Sequence, residues 1–570
     1  MVDNRGKFPV LRGVWIALLS LGWLIPNHYQ PWPQFYLEAW VAILLLLGSF
    51  PLVFTRRRSS DGLYGIFFVS LALGLLPWIQ HWTGLIPWPS DATVSSIYVA
   101  SFAYASMMGS RWEKMVPLQL PDSLFSAILI AAILSFVLQV CQWAEVPGLD
   151  FLLLGPGYGR PAANLGQPNH LGTLLLWGVV AALWARLREE IPVFVTIPIL
   201  MCLVLGIALS GSRTAILGLA ILFLTACAWR RLLGGTKAIW LGIGLGVFFC
   251  FCLFLIPWIS SSLSGDSGLR LAGDTGLARI TQQGQEFRPA AWRLFFEAAL
   301  ERPIFGYGWN QTHLAQLQMF QGPFVVHNPF GHAHNFFLDL VLWCGIPLGA
   351  LLIGILLRWF WVTVRAINSG EDVLMFWMLL ILANHAMLEL PLNYMYFLIP
   401  AALIMGVLNT RLHSPVAIVD MPPLHYLAWG CWLLLAVICV RDYALVEQAE
   451  RQYGLERVGF RSLHTPEPPN TWLLTKWHGI YRFLYLKPQE HLPECTLQWA
   501  REVANYSFNP SLYFQLATLL ALNDRREEAR LWLERFCSVV PEENCAKGKI
   551  AWLSNGKKNK KIAGVKWPKE

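Results

Sequence analysis

Long apolar runs dominate this chain, and the length of such a run limits what it can become. Ala238–Trp258 and Phe336–Leu356 each supply the roughly 20 residues that a helix needs to cross a bilayer. About thirteen such segments fall near 12–26, 36–54, 63–80, 93–108, 122–142, 170–186, 192–209, 213–230, 238–259, 335–361, 373–388, 394–410 and 424–440. A backbone in lipid must satisfy its own hydrogen bonds, so the expectation is an all-α, polytopic integral membrane protein. Composition agrees. Of 570 residues, 55% are hydrophobic, 14% are charged and 28 are tryptophan, which excludes a soluble enzyme with a membrane tail. The net charge of +8 resides mainly in short loops and a lysine-rich tail, Lys557–Lys569, and does not point to nucleic acid. That tail is expected to be solvated and disordered.

The loops sort into two sets by charge. One holds Arg56, Arg57, Arg58, Arg111, Lys114, Arg186, Arg188, Arg230, Arg231, Lys237, Arg358, Arg365 and Arg411. Short loops rich in arginine and lysine stay in the cytoplasm, so the other set faces outward. The outward short loops carry only Arg160 and Arg213, and a third arginine, Arg288, lies in a long outward connection. Arginine on that side runs against the topological bias and points to an anionic ligand. No small-residue cleavage site follows Leu11–Pro26, so it reads as a first span with the amino terminus inside.

Two outward connections are long, Trp143–Asn169 and Ser260–His334, and loops of that length are usually functional. Within the second, Arg288–Leu300 reads as an amphipathic helix at the membrane surface, with Trp292, Phe295, Phe296 and Ala299 on one side. The chain thus divides into a membrane domain, 1–440, with its long connection at 260–334, and a helical domain, 441–570, on the outer side. In the latter, Ser511–Leu522 and Arg526–Val539 resemble one tetratricopeptide-like hairpin. Most of the 11 cysteines lie in or beside spans; Cys495, Cys537 and Cys545 do not, and the last two can pair in an oxidising compartment.

Four polar clusters sit on the outward side. His327, His332, His334 and Asn335 gather where the long connection enters a span. An imidazole there can take a proton near neutral pH, cap the helix, or, as one of three histidines, bind a metal. Ser210-Gly-Ser-Arg213-Thr offers a tight turn and a forked donor suited to phosphate. Arg160, Asn164, Gln167, Asn169 and His170 form a stretch dense in groups that suit sugar hydroxyls. Glu389-Leu-Pro-Leu-Asn393-Tyr394 puts a carboxylate at an interface where it needs a partner, an arginine being the natural one. His28, in the first outward turn, reads as structural.

Together these segments resemble the O-antigen ligase superfamily, and within it the PglL-type bacterial protein O-oligosaccharyltransferases. The superfamily likeness rests on Ala163–His170, Ser210–Thr214, Arg288–Trp292 leading to Pro303–Trp309, and His332–Asn335 leading to Gly345–Pro347. The narrower likeness rests on Pro26–Tyr29, Glu389–Tyr394 and Pro466–His478, so it spans nearly the whole chain. The resemblance implies a GT-C-like, inverting, metal-independent transferase with no cofactor, in the bacterial inner membrane with its site facing the periplasm. The donor would be an oligosaccharide on undecaprenyl diphosphate. The acceptor would be a serine or threonine of a periplasmic protein such as a pilin, and membrane lipid the surroundings. It implies Arg213 and Arg288, with Arg160, on the diphosphate and His334 as the essential histidine. Asn164, Gln167, Asn169, His170, His332, Asn335, Glu389, Asn393 and Tyr394 would contact substrate. An O-antigen ligase or polymerase keeps the same fold, and a lipid-linked sugar or anion transporter is the alternative of another class.

Overall fold

The computed structural model describes residues 9–26, 29–54, 61–154, 160–264, 287–322, 325–419, 422–460 and 467–568. Asn27, His28 and Arg56–Arg58 lie outside them. Each expected span forms a helix. The first nine are α1 (Pro9–Leu24), α2 (Phe35–Val53), α3 (Gly65–Trp82), α4 (Pro89–Met115), α5 (Gln119–Trp143), α6 (Pro168–Leu187), α7 (Val193–Ser210), α8 (Arg213–Ala228) and α9 (Thr236–Ser264). The long connection holds α10 (Arg288–Glu301) and α11 (Thr312–Gln318). After it come α12 (Phe336–Ala366), α13 (Gly370–Ala386), α14 (Met395–Leu412) and α15 (Pro422–Arg457).

Among the described residues, 9 helices are long and apolar enough to cross a membrane by length and composition. The helices α1, α8 and α13 are shorter, at 16, 16 and 17 residues. The helix α4 has 27 residues but is diluted by Ser90, Ser95, Ser101, Ser106 and Ser110.

Two compact units make up the chain. The first takes residues 1–72, 98–285 and 358–436. Its centre is α6, whose apolar window is 83% buried; a helix apolar on every side belongs inside. It packs on α5, α7, α8 and α13. The helices α4 and α14 meet at glycines, where a Cβ on Gly109 would lie 2.2 Å from the Leu403 carbonyl and one on Gly406 2.0 Å from that of Ser106. Small residues let helix backbones touch where lipid provides no hydrophobic drive. Two arginines of the loop set expected inside are paired: Arg188 with Asp122 at 3.0 Å, and Arg411 with Asp372 at 2.7 Å and Glu113 at 3.2 Å.

The second unit takes residues 73–97, 286–357 and 437–570. Its carboxy-terminal part is α16 (Thr475–Leu484), α17 (Glu494–Tyr506), α18 (Pro510–Leu522), α19 (Arg526–Val539), α20 (Glu542–Lys558) and α21 (Lys560–Ala563). The helices α18 and α19 fall where the two helical patterns were expected and pack on each other, and Tyr513, Leu516, Ala517, Ala521, Ala529 and Leu533 are buried between helices. Leu317, from the long connection, joins the same core. The described part of the lysine-rich tail, residues 557–568, packs on the domain, contrary to the expectation from composition. Its apolar residues Ile562 and Val565 are buried beside Trp552, and Lys561 reaches Asp524 at 2.7 Å. Cys537 and Cys545 form a disulfide, and Cys495 is free.

Two details of the long connection depart from expectation. The buried face of α10 is Ala291, Leu294, Phe295, Ala298 and Ala299, while Phe296 is exposed. That face is turned from the expected one because the helix packs on protein. The span expected at 335–361 is two helices meeting at Gly345, where φ is 80°. Residues 303–307 dock into the break. Tyr307 N–H donates to the Leu342 carbonyl and Ile346 N–H to that of Pro303, both at 2.7 Å. A Cβ on Gly345 would lie 2.1 Å from the Ile304 carbonyl, so glycine is required both by φ and by space.

Candidate active site

The first unit brings three of the expected motifs together around Asn169. Upstream, Gln142 Oε1 accepts the N–H groups of Ala162 and Ala163 at 2.7 and 2.8 Å, which sets the loop before α6. Asn164 is fully buried and spends its amide inside the protein, accepting from Ser135 and donating to the Trp23 carbonyl. It therefore holds the loop. Gln167 caps α6 by accepting the His170 N–H at 2.7 Å. Asn169 then joins two distant turns: its Oδ1 accepts from Ser212 at 2.7 Å and its Nδ2 donates to Glu389 at 3.0 Å. The acidic turn thus meets a neutral amide from the first turn of α6, in a contact that neither segment reveals by itself.

Arg160 donates to the Gly211 carbonyl at 3.2 Å, in the turn that precedes Arg213. Arg213 is the first residue of α8 and its side chain is exposed. Ser212, its N-cap, accepts the Ala215 N–H. The turn therefore carries Arg213, a contact from Arg160 and the positive end of a helix, an arrangement suited to an anion.

His170 Nδ1 shares a hydrogen bond of 2.8 Å with the Tyr396 hydroxyl, and the Tyr394 ring lies edge-on at 4.4 Å. Burial pushes the Tyr394 phenol up, with Glu38 and Glu389 adding to the effect, so it remains a neutral donor. Asn393 is half-buried in the same turn. Sequence reasoning missed Glu38, which is buried in α2 and accepts a hydrogen bond from Tyr98. As the one acid in that span, it was visible as an unusual intramembrane carboxylate.

In the second unit the histidines separate by role. His327 Nδ1 meets the Cys537 carbonyl at 2.9 Å, which ties the loop to the disulfide. Gln316 holds the next stretch, donating to the Asn328 carbonyl and accepting the Phe330 N–H. Asn335 caps α12, accepting the Leu338 N–H at 3.1 Å. His332 lies 6.2 Å from the Trp343 ring; burial, reinforced by His334 and His313, pushes it down to about 3. It stays neutral at physiological pH and is too weak a base for that pH.

His334 stands differently. Its φ is 53°, in the left-handed region that few residues other than glycine adopt. Its ring centroid lies 5.4 Å from that of Phe287 and 5.9 Å from that of Phe330. The Arg288 guanidinium lies 5.9 Å from the same Phe287 ring. One phenylalanine thus stands beside both a histidine and an arginine that the sequence had singled out. Among the described residues, no group of three or more histidine, cysteine, aspartate or glutamate side chains could hold a metal ion.

The helical architecture is that of a membrane protein, with a histidine and an arginine flanking one phenylalanine, and comparison bears on its class. Residues 198–353 match the O-antigen ligase family model, a span that includes Arg213, Arg288 and His334. Residues 161–184 match a protein glycosylation ligase model, and residues 373–553 a model described as the C-terminal part of a virulence factor membrane-bound polymerase. Residues 198–353 thus carry an O-antigen ligase domain. It is 27% identical over 541 residues to a general O-oligosaccharyltransferase of Acinetobacter baylyi, covering 90% of this chain and 89% of that one. It is 25% identical over 410 residues to a ComP-specific O-oligosaccharyltransferase of the same organism, covering 71% of this chain and 72% of that one.

Proposed function

We propose that the protein is an O-oligosaccharyltransferase that moves an oligosaccharide en bloc from undecaprenyl diphosphate to a serine or threonine of a periplasmic protein such as a pilin. The observation that carries the reading is the Phe287 cluster, which keeps an imidazole and a guanidinium together. His334 takes the acceptor hydroxyl proton as the oxygen attacks the anomeric carbon. The bond from that carbon to the phosphate oxygen breaks, and its electron pair leaves on the lipid diphosphate. Attack opposite the leaving group inverts the anomeric centre. Arg288 stabilises developing negative charge, and Arg213 with Arg160 binds the diphosphate, so the transfer proceeds without a metal. Asn169, Gln167 and Asn164 position Arg213 and Arg160, while Glu389, Asn393, Tyr394 and His170 line the sugar site. The site faces the periplasm of the inner membrane, a reading that the charge bias of the loops supports.

The match of residues 373–553 to a polymerase model favours a second reading, in which the acceptor is a glycan. Cells making a defined lipid-linked glycan and a candidate pilin separate the two. Glycosylated pilin, lost in His334→Ala and Arg288→Ala, supports the protein acceptor. Sugar on lipid A core or longer glycan chains, with the pilin bare, moves the protein to the other branch.

A further inference from the structure

Asp339 has no part in the roles above. It lies in the first turns of α12 with its side chain fully buried. Its Oδ1 accepts two hydrogen bonds of 2.9 Å, from the Ala333 N–H and from the Thr312 hydroxyl. Thr312 in turn accepts from the Trp343 indole at 2.8 Å, so the carboxylate rests on a buried polar chain. Ala333 is the residue between the two histidines, and its peptide leads directly into His334. A left-handed backbone at His334 persists only where the surroundings hold it, and the Ala333–Asp339 bond is such a hold.

The other oxygen, Oδ2, is buried without a hydrogen-bond partner. An idle carboxylate oxygen in a dry site is unfavourable unless a positive charge faces it. The ionisable groups around this loop include Arg288, His313, His332 and His334, with Lys476 acting on His313 and paired to Asp91 at 3.0 Å. Arg288 stacks by Phe287. Burial holds both His313 and His332 down to about 3, so neither carries charge at neutral pH. His334 directly follows Ala333, whose N–H the carboxylate holds, and is left as the group that Oδ2 can serve once its ring takes up a proton.

We propose that Asp339 is a positioning residue: its carboxylate fixes the His332–His334 loop and stabilises the imidazolium that His334 becomes on removing the acceptor proton. This inference rests on His334 being the base.

The test is a pH profile of transfer by the purified full-length protein for the parent, Asp339→Asn, Asp339→Ala and His334→Gln. Asparagine keeps an oxygen for Ala333 and Thr312 but loses the charge. Expected is an Asp339→Asn protein with the parent's melting temperature and KM, a kcat lower by about tenfold or more, and an acid limb about one unit lower in pH. The sign follows because an imidazolium without its carboxylate gives up its proton more easily. A limb and kcat equal to the parent's overturn the inference and leave the base reading intact. Equal losses in Asn and Ala, with a lowered melting temperature and an unmoved limb, reduce Asp339 to scaffolding and also overturn it. An acid limb that survives in His334→Gln removes the base reading itself, whatever Asp339 does. Should Asp339→Asn not fold, Asp339→Glu and Asp339→Gln make the same comparison: only Glu should retain the parent's limb, and identical limbs refute the pairing.

Discussion

Asn169 offers the most quantitative handle on the donor side of the site. Its amide is 6% exposed and makes one hydrogen bond to the Ser212 hydroxyl at 2.7 Å and one to the Glu389 carboxylate at 3.0 Å. Replacement by leucine keeps the approximate volume and removes both. A neutral hydrogen bond is worth about 0.5–1.5 kcal/mol and one to a charged group about 1.5–3, so the loss should total about 2–4.5 kcal/mol. If Asn169 serves to hold the turn before Arg213, most of that should appear in transfer, as a fall in kcat/KM of about 30-fold to 2000-fold. Asn169→Asp sharpens the test. It keeps an acceptor for Ser212 but sets a carboxylate against Glu389, and should fall at least as far. The assay is initial-rate transfer of a defined lipid-linked glycan by purified protein, alongside thermal unfolding in the same detergent. A leucine variant with the parent's kcat/KM refutes the view that this amide organises the site.

Other outcomes follow from the same geometry. Phe287→Leu should retain folding but lower transfer, and Phe287→Ala should lower it further, since that ring is what His334 and Arg288 share; equal activity in all three proteins would remove the ring from the account. His313 is 4% exposed and pushed down to about 3 by burial, so its unfolded form binds a proton first as pH falls. Its contribution to stability is therefore complete above about pH 6.5 and declines by about 2 kcal/mol between pH 6.5 and 5. A His313→Gln variant should show a flatter melting temperature over that window. The Cys537–Cys545 disulfide closes a separation of 8 residues, so chain entropy gives it about 2–3 kcal/mol. Cys545→Ser should lower the melting temperature and, through the His327 contact with Cys537, reduce transfer modestly.

The helices were legible because a run of about 20 apolar residues in water has few alternatives to a bilayer. The pair α18 and α19 was legible for a similar reason, its buried positions recurring at helical spacing. Where several signals compete, composition misleads. The lysines of 557–569 mask Ile562 and Val565, which pack on Trp552. Gly345 fell within an expected span and in a family motif, but the break it makes was not legible, since its positive φ exists only because residues 303–307 enter there. The site motifs were visible as clusters of polar residues beside spans, but their connections were not. Asn169 and Glu389 are 220 residues apart, and His327 reaches Cys537 across 210. Three histidines within a short stretch invited a single role. The structure gives His327 to the disulfide hairpin, buries His332 as a neutral ring and leaves His334 beside Phe287 and near Arg288. Asp339 escaped notice because a lone acid at the start of a helix usually signals favourable dipole placement.

The central claim is that His334 and Arg288 perform an inverting transfer from a lipid diphosphate to a protein hydroxyl. The most direct measurement is mass-spectrometric and NMR analysis of the product formed by purified parent, His334→Ala and Arg288→Ala proteins from one synthetic lipid-linked glycan and one acceptor protein, with and without chelator. The account predicts a glycosylated serine or threonine of inverted anomeric configuration from the parent, undiminished by chelator. It predicts rates lower by about 10²–10³ or more in both variants, with melting temperatures unchanged. Product of retained configuration, or undiminished transfer by well-folded His334→Ala protein, would contradict it.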